Sequence, residues 1–174
     1  MILVGAICVL FCFLYTTSLS YMGLGDVLVL FFFGIVPVCI SYYIQTATAT
    51  LDVFLSSVSC GLIIDTLLLV NNYRDMENDK RAGKKTLVVR AGADLGRIAY
   101  FVSGVLALLV GSVFLFNGHP LTFIAPFPYI VFHYLTYRKM VRINKGKALN
   151  IILGETARNM FIYGILLSIG ILIG

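Results

Sequence analysis

One run of this sequence holds its only dense acidic and basic chemistry: Asn71-Asn72-Tyr73-Arg74-Asp75-Met76-Glu77-Asn78-Asp79-Lys80-Arg81-Ala82-Gly83-Lys84-Lys85-Thr86-Leu87. If a helix continues through it, 100° per residue puts Asn72, Asp75 and Asp79 within about 80° of one another, on one face. Two carboxylates and an amide would then line one cleft. Like charges at i and i+4 repel by a few tenths of a kcal/mol, so something must compensate them: the neighbouring bases or a bound cation. Mg²⁺ suits such a pair, because it takes one or two carboxylates, keeps waters and completes its shell with phosphate oxygens. The bases that follow could hold the remaining phosphate charge. D-x-x-x-D beside lysines is also an ordinary solvated helix surface. Position sets this run apart: two asparagines precede it at the edge of an apolar segment, where an unsatisfied amide is costly.

The elements that must carry this cluster follow from composition. Hydrophobic residues make up 60% of the 174, charged residues 12%, and mean hydropathy is +0.97. A soluble domain is about a quarter charged, so soluble and disordered readings are excluded. A membrane helix needs about 20 mainly apolar residues, which allows roughly six or seven spans. Apolar runs between polar breaks give six candidates: Ile2 to Tyr15, Val27 to Tyr43, Val53 to Val70, Ile98 to Phe116, Leu121 to Tyr137 and Leu149 to Ile173. The expected fold is all-α, a polytopic membrane bundle of about six helices forming a single integral-membrane domain over residues 1–174. A net charge of +5 is better explained by membrane topology than by nucleic acid, so no nucleic-acid partner is expected. Cys8, Cys12, Cys39 and Cys60 lie in apolar stretches without metal or redox spacing and read as packing residues.

Basic residues orient the bundle. Of the 13 Lys and Arg, all but Arg158 fall in the connections after the third and fifth spans, and the first 73 residues contain none. By the positive-inside rule those connections face the cytoplasm, as would Thr16 to Asp26, with Gln45 and Asn117 to Pro120 outside. The polar run then sits at the cytoplasmic rim of a multi-pass protein of the cell's inner (plasma) membrane. Alternation also puts both termini outside, an oddity for a chain with no span before Met1 that suggests missing N-terminal sequence.

The scattered polar residues have simpler readings. Asp26 and Asp52 are positioned to cap the second and third helices. Glu155 and Arg158 form an i, i+3 pair. His119 and His133 lack ligand spacing. Asp65 shares nearly the face of Asn72 and Asp79 but lies about 15 Å deeper than Asp75, too far to share an ion directly. An intramembrane acid is a functional candidate, and a hydrogen-bonded packing residue is its alternative.

Asn71 to Gly92, reading NNYRDMENDKRAGKKTLVVRAG, closely resembles the second aspartate-rich motif of the UbiA superfamily of membrane prenyltransferases, in its MenA-type form. Tyr21-Met22-Gly23-Leu24-Gly25-Asp26, then Phe31-Phe32-Phe33-Gly34, then Tyr42-Tyr43-Ile44-Gln45, is similar to the stretch after the fourth helix of those enzymes. The resemblance covers nearly the whole chain and aligns its spans with the last six of nine helices. It implies Mg²⁺-dependent transfer of a polyprenyl group from polyprenyl diphosphate to an aromatic acid, 1,4-dihydroxy-2-naphthoate in this branch, with loss of carbon dioxide to give demethylmenaquinone. Carried over, Asp75 and Asp79 bind the Mg²⁺ that holds the diphosphate. Arg74, Lys80, Arg81 and Lys84 stabilise its charge, and Asn71 and Asn72 orient the cluster. Tyr15, Tyr42 and Tyr43 are candidates for facing an allylic cation, and the isoprenoid tail would lie on apolar faces open to membrane lipid.

The family's first aspartate motif, an N-D-x-x-D-x-x-x-D-like pattern, is absent from this sequence. The chain thus reads as the C-terminal part of such an enzyme, with full activity expected to need the other part. Alternatives are a different acceptor such as 4-hydroxybenzoate, homogentisate or a chlorin; a small transporter using Asp65; and an inactive fragment.

Overall fold

The computed structural model describes residues 5–7, 9–10 and 21–174, so Tyr15, Cys8 and Cys12 lie outside the described residues. Among these, every regular element is helical. Four stretches are long and apolar enough to cross a membrane: Gly25–Thr46, Leu51–Arg81, Ala93–Phe116 and Lys147–Ile173. In hydrocarbon each backbone polar group must bond within the protein, which helices do internally.

The first rod, α1 (Gly25–Thr46), opens into π turns over Leu30–Ile35 before returning to α geometry. It ends at Ala47, whose positive φ of 53° stops the helix while its N–H bonds the Tyr43 carbonyl. The chain reverses into α2 (Leu51–Arg81), a 31-residue helix about 46 Å long. The two run antiparallel and touch at two glycines. A Cβ on Gly34 would sit 2.5 Å from the Gly61 Cα, so neither position admits a side chain. Small residues at such crossings let helix backbones approach closely. Cys39 Sγ donates to Ser57 Oγ at 3.4 Å across the same interface, and Cys60 is half-buried; neither is in a disulfide, in keeping with packing roles.

After the rim come α3 (Leu87–Ala91), α4 (Ala93–Val110), α5 (Val113–Phe116), α6 (Pro120–Ile124), α7 (Pro128–Ile143) and α8 (Asn150–Ile173). Two expected spans are therefore interrupted. The fourth breaks at Gly111-Ser112, and the fifth at Ala125-Pro126-Phe127, where Pro126 and Pro128 withhold backbone donors. The third is longer than its apolar run, because charged residues after Val70 continue the same helix into the rim.

Core residues gather along α2. At the rim end Leu69, Val70, Tyr73, Tyr100, Met140 and Leu149 form one cluster, and deeper Ile63, Ala107, Tyr129 and Tyr163 form another. Between them the polar side chains pair with one another. His133 is fully buried, with Nε2 3.3 Å from the Phe101 carbonyl. A carbonyl only accepts, so Nε2 carries the proton and Nδ1 accepts from the Tyr129 hydroxyl at 3.0 Å. Ser59 bonds Tyr163 and donates to the Ala107 carbonyl at 2.7 Å. His133 is thus a satisfied packing residue.

Three of the simpler readings are corrected. Asp26 caps nothing: the N-cap position is Leu24, and Asp26 lies in the first turn of α1 with its carboxyl close to that of Asp65 on α2. Thr50, not Asp52, caps α2 by accepting from the Val53 N–H at 3.3 Å, while Asp52 accepts from Asn117 Nδ2 at 2.5 Å. Glu155 pairs with Lys139 at 2.6 Å and not with Arg158, which donates to Asn159 at 3.3 Å. In each case a partner from another part of the sequence displaces the local one.

Candidate functional site

The polar run occupies the last three turns of α2 and the turn after it. Arg74 holds Asp75 in a two-pronged pair, Nε donating to Oδ1 at 2.9 Å and Nη2 to Oδ2 at 2.5 Å. The same Nη2 donates to Asn71 Oδ1 at 2.8 Å, and Nη1 reaches Asn150 Oδ1 at the start of α8 at 3.0 Å. One turn on, Asp79 is buried to 7% exposure and pairs with Lys84 Nζ at 2.9 Å. Helix α2 ends so that the chain folds back: the Lys84 N–H bonds the Asp79 carbonyl at 2.9 Å. Hydrogen bonding to Asp79 holds the Lys84 ammonium above its ordinary value. Asn72 is buried beside the cluster, and Lys80 and Arg81 are exposed in the last turn.

The segment before α1 closes this end. The Tyr21 carbonyl accepts from the Lys85 N–H at 3.0 Å, and Lys84 Nζ lies 5.8 Å from the Tyr21 ring centroid, a cation–π distance. Gly23 makes the approach possible: its φ is +83°, and a Cβ there would run into the Lys85 carbonyl oxygen. Tyr21 is a site residue that the sequence reasoning missed, although it opens the first motif that resembles the family. Tyr42 and Tyr43 are a correction in the other direction. They lie near the end of α1 that leads into Leu51, about 36 Å along α2 from Asp75, and are not brought to the rim.

Below the charged rim lies a groove of about 570 Å³ between α1, α2 and α8, lined by Val29, Phe33, Ile64, Leu67, Asn71 and Gly154 among others. Only Asn71 among these carries a polar side chain, and it is the α2 residue nearest the rim. The donor set fits a hard divalent cation. Asp75 and Asp79 offer two carboxylates on successive turns, and the described residues contain no group of three or more acids, histidines or cysteines able to hold a metal alone. A Mg²⁺ ion bound by two carboxylates leaves coordination positions for waters and phosphate oxygens. Arg74 and Lys84, now on the carboxylates, are the cations within reach of such phosphates.

A family model described as the UbiA prenyltransferase family matches residues 1–166. A 1,4-dihydroxy-2-naphthoate octaprenyltransferase of Bacillus subtilis is 30% identical over 182 aligned positions, covering 98% of this chain and 56% of that protein. One of the same name from Haemophilus influenzae is 45% identical over 83 residues, 48% of this chain and 27% of that protein. The human UbiA prenyltransferase domain-containing protein 1 is 34% identical over 103 residues, 58% of this chain and 30% of that protein. The chain therefore spans about half the length of the Bacillus relative, and the matched segments are smaller shares of the other two. With the family model matching nearly from end to end, this membrane protein belongs to the UbiA prenyltransferase family.

Proposed function

We propose that this chain carries the diphosphate-binding part of a membrane prenyltransferase that moves a polyprenyl group from polyprenyl diphosphate to 1,4-dihydroxy-2-naphthoate. As its ring carbon bonds the prenyl group, the acceptor loses its carboxylate as carbon dioxide and is left as the reduced, quinol form of demethylmenaquinone. The observation that carries this reading is the juxtaposition on one helix of a charged rim and an apolar groove, which suits an amphiphile with an anionic head and an isoprenoid tail. The names of the Bacillus and Haemophilus relatives support the acceptor. Asp75 and Asp79 hold Mg²⁺, which when bound neutralises the diphosphate and stabilises it as a leaving group. Arg74 and Lys84 exchange their carboxylate partners for phosphate oxygens, with Lys80 and Arg81 contributing long-range positive charge. Asn71 and Asn72 orient the cluster at the groove mouth, and Tyr21 offers an aromatic face beside Lys84. When the C–O bond breaks, its electron pair leaves with the diphosphate, and the apolar groove keeps water from the allylic cation. The concentration of Lys and Arg in two connections supports placing the charged rim on the cytoplasmic side of the inner membrane.

The test is a prenylation assay in membranes containing the protein, with radiolabelled polyprenyl diphosphate, Mg²⁺ and a panel of aromatic acids. With the part that carries the first aspartate motif also supplied, the reading expects a labelled product with 1,4-dihydroxy-2-naphthoate that disappears on chelation of Mg²⁺ and in the Asp75→Asn, Asp79→Asn variant. Product formation untouched by that double change would remove the metal assignment, and preference for 4-hydroxybenzoate would replace the acceptor.

A further inference from the structure

We propose that Asn150 is a positioning residue for the rim: its side-chain oxygen fixes the Arg74 guanidinium, and through it Asp75, relative to the rest of the bundle. This rests on the reading of that rim as a diphosphate site. The guanidinium is planar and rigid, so the directions of its bonds determine its plane. Two of its partners, Asp75 and Asn71, belong to Arg74's own helix and would turn with it. Asn150 is 76 residues further along the chain and accepts the remaining arm, Nη1, at 3.0 Å. Among the described residues, it alone of Arg74's hydrogen-bond partners ties the guanidinium to a second element.

The neighbouring contacts show that this end of α8 is held in place and can act as an anchor. Tyr73, the residue before Arg74, donates its hydroxyl to Asn144 Oδ1 at 3.2 Å. Consecutive α2 residues thus grip both ends of the Asn144 to Asn150 connection. Asn144, with φ 65° and ψ −50°, is the centre of a γ-turn in which the Lys145 N–H bonds the Ile143 carbonyl at 2.8 Å. Leu149, just before Asn150, is fully buried in the cluster with Val70 and Tyr73. The connection between α7 and α8 is therefore docked on the motif helix by one apolar side chain and two hydrogen bonds.

The role predicts coupling between Asn150 and Arg74, which a general packing role does not. Calorimetric titration of the detergent-solubilised full chain with Mg²⁺ and inorganic pyrophosphate reads it. Asn150→Ala is expected to weaken binding about fivefold, and Asn150→Gln, which keeps the acceptor on a longer arm, about twofold. In an Arg74→Ala background Asn150→Ala should add less than about twofold, because its partner is already gone. Equal losses in both backgrounds, or no loss from Asn150→Ala, overturn the proposal. If Asn150→Ala does not fold, Asn150→Gln alone and with Arg74→Ala decides by the same rule. A wild-type chain that takes up no pyrophosphate overturns the functional reading and this role with it. Uptake by the wild type without Arg74–Asn150 coupling overturns this role alone.

Discussion

Helix α2 carries two pairings of aspartates whose surroundings are opposite. Asp75 and Asp79 stand a turn apart at the rim, each held by a base close in sequence, Arg74 and Lys84. Asp65, two to four turns deeper and 7% exposed, instead meets Asp26 from α1, and each of those two keeps one buried oxygen without a hydrogen-bond partner among the described residues. The rim carboxylates are paired with cations, which on the proposed reading a metal and a diphosphate would replace. The deep pair is enclosed by helix packing and joins α1 to α2. The same side chain thus serves exchange in one place and attachment in the other, and the difference lies in which neighbours the fold supplies.

That contrast can be broken experimentally, most sharply at the rim. Changing both Asp75 and Asp79 to Asn should lower affinity for Mg²⁺ with pyrophosphate at least about 100-fold, with melting temperature little changed; calorimetry and thermal melts read the two quantities. Asp26→Ala should do the reverse. It leaves Asp65 buried without its partner and should cost about 1–3 kcal/mol of stability, while pyrophosphate affinity stays within about twofold. If Asp26→Ala instead abolished binding, the deep pair would belong to the site. Asp65→Asn should be milder still, within about 0.5 kcal/mol of wild type, because the amide N–H can donate to Asp26 and keep the two helices joined.

The smallest effect concerns Lys84. Its pKa is raised above the ordinary 10.5 by its bond to Asp79, so the pair contributes fully below that ordinary value. The contribution is lost as pH rises through the raised value. Titration of isotope-labelled, dimethylated lysines by NMR should show Lys84 as a late-titrating resonance, and Asp79→Asn should move its midpoint down. An unchanged midpoint in that variant would mean that the ion pair does not persist in solution.

Much of the rim was legible because its determinants are local. The spacing of Asn72, Asp75 and Asp79 depends only on helical pitch, and the same helix continues through Arg81 as that reading required. Asn71 contacts Arg74 one turn later, another local pairing. What the sequence could not disclose was long-range. Asp26 and Asp52 satisfy every rule for a helix cap, yet Asp65 and Asn117 claim them, because proximity between distant segments is decided by helix packing. Tyr42 and Tyr43 were grouped with the site by the family resemblance and their aromatic chemistry, whereas the antiparallel turn of α1 into α2 takes them to the far end. Asn150 had no signal in composition or spacing; only the return of α8 to the rim reveals it. The break at Pro126 was visible in the residue type but was hidden by the apolar character of its neighbours.

The π turns at Leu30–Ile35 give the first rod a phase shift. Wider turns advance fewer degrees per residue, so the stripe that follows them is rotated relative to the stripe that precedes them. Deleting a single residue from this stretch would act like a skipped tooth on a gear: composition and hydropathy would be nearly unchanged, yet one half of the rod would present the wrong side chains to its neighbour.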